Sequence, residues 1–316
     1  VARLWRISAG VGFLVCTLAS APRPKPITDQ NYRVFRNDGS PASLDDVIQA
    51  ARRATVTFLG EDHEDAVAHF LEAEILKQVA GPDRALSLEM FDRDVQIVVD
   101  EYLDGLIQEK DLIESGRAWG NYKSDYRPLV EIAKENHMPV IAANAARRYV
   151  NLVSRKGQSA LLALSAQAKQ TLPALPYATA SEAYKERFHR VMSEETGGGK
   201  ALPSARSKKP PPRHGESDFA LEAQSLWDAA MADSLARFLS QHPDKRVLQV
   251  NGSFHSEARM GILEHLERYR PGTAGVVVTM TPEKSFPAWD KDKMEGIGDF
   301  VIVTDPRVPH DKPKNK

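Results

Sequence analysis

Four apolar runs each lead into a short polar segment carrying the residue types that acid–base or ligand chemistry needs. Residues 54–60 (ATVTFLG) run into Gly60-Glu61-Asp62-His63, and residues 85–90 (ALSLEM) into Glu89-Met90-Phe91-Asp92. Residues 139–143 (PVIAA) end at Asn144, and residues 246–251 (RVLQVN) lead into Asn251-Gly252-Ser253-Phe254-His255. Two carboxylates, Glu61 and Glu89, and two imidazoles, His63 and His255, can hold a divalent metal, share protons or bind a polar ligand. One such residue after an apolar run is ordinary. Its repetition at successive run ends points to a common site.

Other chemistries lack their spacing. Gly60-Glu61-Asp62-His63 has no glycine pattern of a dinucleotide loop, and no Walker A sequence occurs. Ser253 lacks the flanking glycines of a nucleophile elbow. His63 and His69 stand six apart rather than the four of a zincin helix.

The elements that must position these residues read as an alternating α/β core over residues 54–304. Two further runs, 275–280 (GVVVTM) and 300–304 (FVIVT), bring the strands to six. Strands this apolar are buried on both faces, as in a parallel sheet covered by helices. Helical patterns at 126–136 and 219–239 lie between them. The predicted fold is therefore an open, mostly parallel sheet flanked by helices, with ligands at the carboxyl ends of its strands. Helix-rich insertions at about 95–130 and 150–192 are expected to form a helical subdomain over one sheet edge. Residues 22–53 form a lead-in. Residues 196–215, basic and rich in Gly and Pro, read as a flexible loop, and 305–316 as a loose tail.

The first residues look like an export signal. Arg3 and Arg6 precede an uncharged apolar stretch at 7–19, and Ala19-Ser20-Ala21 supplies a small-x-small cleavage pattern. The expectation is a signal peptide over 1–21 and a periplasmic or outer-membrane-associated protein. A lipid anchor on Cys16 is the alternative form. Lys plus Arg number 42 against 43 Asp plus Glu, so the net charge of -1 argues against nucleic acid as a partner. The single cysteine excludes a disulfide scaffold and Cys-ligated clusters within the chain. A metal or haem iron must then use His, Asp, Glu, Tyr or Met.

Several blocks in order resemble the ChaN-like haem-binding uptake family, within the wider Tiki, TraB and erythromycin-esterase-like superfamily. They are VTFLGEDHEDAVAHF, ALSLEMFDRDVQIVVDEYLDG, AWGNYKSDYRPLVEIAKENHMPVIAAN and EAQSLWDAAMADSLARFL, followed by the strand into His255. They cover roughly residues 55–151 and 222–279. Phe70 stands where the family often has a second histidine.

The resemblance implies bacterial haem binding in iron acquisition, with outer-membrane uptake machinery as partner and a homodimer around stacked haems. It also implies tyrosine ligation of ferric iron. Tyr126 leads Tyr102 and Tyr122 for that role, with Glu61, His63, Glu89 and His255 around it. Phe91, Trp119 and Met231 are candidates to line the ring, and Arg147 and Arg148 to meet propionates. The alternative is a metal-dependent hydrolase of peptidase or esterase type, with Glu61, His63, Glu89 and His255 on a divalent metal. A binding protein is the favoured expectation over an enzyme.

Overall fold

The computed structural model describes residues 26–198 and 219–310. The expected signal peptide with Cys16, most of the 196–215 loop and the last six residues lie outside the described residues.

The chain opens with a hairpin, β1 (Tyr32–Arg36) and β2 (Pro41–Ala42), then α1 (Leu44–Arg53). Next come β3 (Val56–Glu61), α2 (Ala66–Val79) and β4 (Arg84–Asp92). A helical stretch follows: α3 (Gln96–Leu103), α4 (Glu109–Ser115), a π-helical turn at Tyr122–Tyr126, and α5 (Arg127–Glu135). After β5 (Val140–Asn144) come α6 (Arg147–Lys156), α7 (Ala166–Gln170), α8 (Glu182–Gly198) and α9 (Ala220–Gln241). The chain closes with β6 (Arg246–Gly252), α10 (Ile262–Tyr269), β7 (Gly275–Pro282), α11 (Lys291–Met294) and β8 (Phe300–Thr304).

The eight strands form one sheet in the order β2-β1-β8-β7-β3-β6-β4-β5. The six apolar runs are the six parallel strands. The β1–β2 hairpin adds to β8 antiparallel and blunts that edge. Its alternating, half-exposed residues gave no apolar run to recognise.

Two cores sandwich the sheet. One packs α1, α2 and α5 on one face, with Leu71, Ile75, Leu129 and Val130 buried. The other sets α9 and α10 against the opposite face through Leu235, Leu239, Ile262 and Leu266. Parallel pairing places β3, β6 and β4 side by side at the sheet centre. Glu61 pairs with Gly252 in register, and β4 bulges between Leu88 and Asp92. Glu89 lies in that bulge, which aims it off the regular pleat.

The start of α2 is held firmly. Asp65 caps it, accepting from Val67 N at 2.9 Å, and Thr304 Oγ1 donates to the other Asp65 oxygen at 2.5 Å. The tail is a correction. It was expected to be loose from Asp305, yet the chain folds back as far as His310. Asp305 N donates to Asn31 O, and Val308 packs on the core.

Candidate functional site

The ends of β3, β4 and β6 bring Glu61, His63, Glu89 and His255 into one polar cluster, with Gly252 at its middle. Gly252 N donates to Glu89 Oε2 at 2.7 Å. A Cβ at position 252 would lie 3.0 Å from His63 Nε2 and 3.6 Å from Glu89 Oε2. Glycine there lets the imidazole and the carboxylate close over the backbone.

On the β3 side, Glu61 is the hub. Tyr126 donates its hydroxyl to Glu61 Oε1 at 2.5 Å, and His63 Nδ1 meets the same oxygen at 2.7 Å. His69, from α2, sets Nδ1 3.0 Å from Glu61 Oε2 and 3.2 Å from Glu72 Oε2. Burial opposes the charge on Glu61. The positive His69 and the hydrogen bond from His63 outweigh it and hold Glu61 well below the usual carboxylate range. Glu72 goes the other way: burial, then the Glu61 charge, raise it well above that range. Two close carboxylates cannot both ionise cheaply, so Glu72 keeps the proton. Tyr126 is buried against the same charge and is pushed far above an ordinary phenol.

On the β4–β6 side, His255 lies between two carboxylates. Its Nδ1 is 2.6 Å from Asp228 Oδ1 and its Nε2 is 3.5 Å from Glu89 Oε1. Tyr184 donates to the other Asp228 oxygen at 2.5 Å. Burial disfavours the charged ring, but Glu89 and Asp228 prevail and push His255 up to about 10. That shift favours the imidazolium at neutral pH, with Nδ1 bonded to Asp228 and Nε2 facing Glu89. Burial likewise opposes the charge of Glu89, and His255 more than offsets it, leaving Glu89 below its ordinary value.

His63 differs from these. Its side chain is 20% exposed, against 1% for Glu61 and 9% for His255. Burial lowers its proton affinity, while the hydrogen bond and charge of Glu61 raise it, with a net rise. With Nδ1 on Glu61, its Nε2 has no hydrogen-bond partner among the described residues. Trp119 packs edge-on against both His63, at 4.9 Å between centroids, and Tyr126, at 5.6 Å.

The other sequence candidates disperse. Phe91 is fully buried in the core on the α2 side, and Met231 lies in the core beneath α9, so neither lines this cluster. Tyr102 donates to Glu131 and Tyr122 is buried. Arg147 is exposed, and Arg148 pairs with Asp94. Four participants escaped the sequence reading: Glu72, Asp125, Tyr184 and His310. Only Glu72 left a signal, its three-residue spacing from His69 on α2.

Haem needs a donor with a free lone pair and aromatic or apolar surface beside it. His63 Nε2 and Trp119 fit that requirement. Tyr126 points inward, and ligation through its oxygen requires its bond to Glu61 to be given up.

The model of the family described as haem-binding uptake, Tiki superfamily, ChaN matches residues 47–266. Among solved structures the chain superposes on ChaN of Campylobacter jejuni, described for cofacial haem binding. The TM-score is 0.64 and the identity 17%, over 88% of this chain and 99% of that one. The type III effector HopBA1 aligns over 87% of this chain and 97% of its own, at 13% identity and a TM-score of 0.46. An erythromycin esterase mutant in its open conformation aligns over 87% and 83%, at 12% identity and 0.42. No curated protein matches the sequence.

Proposed function

The chain belongs to the ChaN haem-binding uptake family of the Tiki superfamily, and from that premise we propose that it binds haem where β3, β4 and β6 end. The observation that carries the reading is His63. It is the outermost donor of the cluster, backed by a carboxylate through Nδ1, with Nε2 free beside Trp119. A ligating histidine commonly donates its other ring N–H to a carboxylate, which fixes the tautomer and strengthens the donor. Glu61 plays that part here, and Tyr126 fixes Glu61. The bound haem would supply iron chemistry or be passed on as cargo. The residues of this chain would hold the donor, orient it and set Trp119 beside it. The apolar leader in the sequence supports an exported protein serving uptake at the outer membrane, and a second copy facing the haem belongs to the same proposal; the Campylobacter protein is described for cofacial haem binding.

The hydrolase reading is weaker. It needs Glu61, His63, Glu89 and His255 on one divalent metal, whereas the family match is described for haem binding.

Titrating the protein with hemin while recording the Soret band tests the proposal. Saturable binding at micromolar hemin, lost in His63→Gln and retained in Tyr126→Phe, is expected. No spectral change with the unmodified protein refutes haem binding. Loss in Tyr126→Phe but not in His63→Gln moves the ligand to the phenol.

A further inference from the structure

Behind the mouth, on the far side of His69, lies a second group of donors: His69, Asp125 and His310. They come from α2, the π-helical turn before α5, and the tail beyond β8. We propose that they form a binding site for a zinc-like divalent cation, which clips the C-terminal tail to the body of the protein.

The geometry suits such an ion. His310 Nε2 is 2.9 Å from Asp125 Oδ2, and His69 Nε2 is 3.6 Å from the same oxygen. One donor atom from each residue lies within 4.8 Å of the others. Four-coordinate zinc with bonds of about 2.0–2.1 Å separates its donors by about 3.3 Å, between the two observed distances. The side chains of His69, Asp125 and His310 are only 4%, 5% and 9% exposed. Two imidazoles and one carboxylate suit zinc or a similar first-row ion rather than magnesium or calcium, which prefer oxygen.

Two further observations favour a cation here. Glu61 and Asp125 are buried together, and among the described residues their ion pairs are with histidines alone. Two buried atoms also stand without a hydrogen-bond partner among the described residues: His310 Nδ1 and Glu72 Oε1. The shell behind His69 is that of a metal ligand. Its Nδ1 faces the Glu61 and Glu72 carboxyl groups, and its Nε2, 3.2 Å from His63 O and 3.6 Å from Asp125 Oδ2, would exchange its proton and the carbonyl contact for the ion.

His310 lies beyond the 47–266 segment that defines the family match, so the clip is a feature of this chain's tail. It accounts for the fold-back of a segment with no regular secondary structure. Its other ties include the Asp305 N bond to Asn31 O, a turn at Val308 and the packing of Val308.

The probe is Co2+ added to chelator-treated protein, followed by its visible ligand-field absorption. One saturable Co2+ with four-coordinate bands, displaced by Zn2+, is expected. His310→Gln and Asp125→Asn should each weaken it beyond the roughly 10–100-fold typical of losing an outer-shell partner. His63→Gln should leave it unchanged, which separates this site from the mouth and from haem. Trypsin cleavage after Arg307 gives a second readout. Zn2+ should slow it in the unmodified protein and not in His310→Gln, and should raise the melting temperature of the unmodified protein alone. Absence of saturable Co2+ binding overturns the proposal. So does Co2+ binding that survives His310→Gln but falls in His63→Gln, or cleavage after Arg307 that is indifferent to Zn2+.

Discussion

Replacing Asp228 with Asn should destabilise the protein in a way that depends on pH. The charge of Asp228 is one of two that hold His255 at about 10, against an ordinary value of 6.5. A histidine raised in the folded state stabilises it fully below the unfolded value, and that stability is lost as pH rises through the folded value. At pH 7 the contribution of His255 is about 4 kcal/mol, roughly three units at about 1.36 kcal/mol each. By pH 10 it has shrunk to about 0.4 kcal/mol. Glu89 and Asp228 share the upward push against burial, so Asp228→Asn lowers His255 and removes on the order of 2 kcal/mol at pH 7. At pH 10 the same substitution should cost under about 0.5 kcal/mol through this route. Urea unfolding of both proteins at pH 7, 8, 9 and 10 measures the difference directly, provided the urea slopes agree. A difference that stays constant across that range refutes the reasoning. It would mean that Asp228 acts through its hydrogen bond with Tyr184 and not through the charge on His255.

Gly252→Ala places a methyl 3.0 Å from His63 Nε2 with no backbone strain, since φ is -54°. It should leave the fold intact and weaken hemin about tenfold, or about 1.4 kcal/mol, as the ring is displaced; unchanged hemin affinity in a Soret titration would remove His63 from the site. Thr304→Val deletes the hydroxyl that donates to Asp65 at the cap of α2. It should cost about 1–3 kcal/mol in urea unfolding, because a buried carboxylate loses a donor; a cost under about 0.5 kcal/mol would show that the cap tolerates the loss.

The sheet was legible because its signal is local. Each parallel strand is a largely apolar run, and Gly60-Glu61-Asp62-His63 and Gly252-Ser253-Phe254-His255 mark where two central strands stop. The convergence of Glu61, His63, Glu89 and His255 followed from the rule for strand ends and holds in the structure. What was not legible depends on tertiary contact. Phe91, Trp119 and Met231 all look like aromatic or apolar wall, and sequence type does not separate them; only Trp119 stands beside His63. His310 sits among Lys, Pro and Asp and reads as tail, yet its ring reaches Asp125, 185 positions earlier. Tyr184 and Asp228 are 44 apart and meet only once α8 and α9 pack.

The electrostatic order of the cluster explains why reactivity should concentrate on one residue. Glu61 receives hydrogen bonds from Tyr126 and His63 and faces His69, so its negative charge is fixed. Glu72 absorbs the repulsion by keeping its proton. His255 is fixed as a cation between two carboxylates, and Tyr126 as a neutral phenol. Each state is set by burial beside an opposing charge or hydrogen bond, and changing it leaves a neighbour uncompensated in low dielectric. His63 alone combines partial exposure with an unbonded nitrogen, so it can lose its proton and accept a ligand without unpairing a buried charge. The groups around it thus work as a rigid frame that presents one imidazole to the outside.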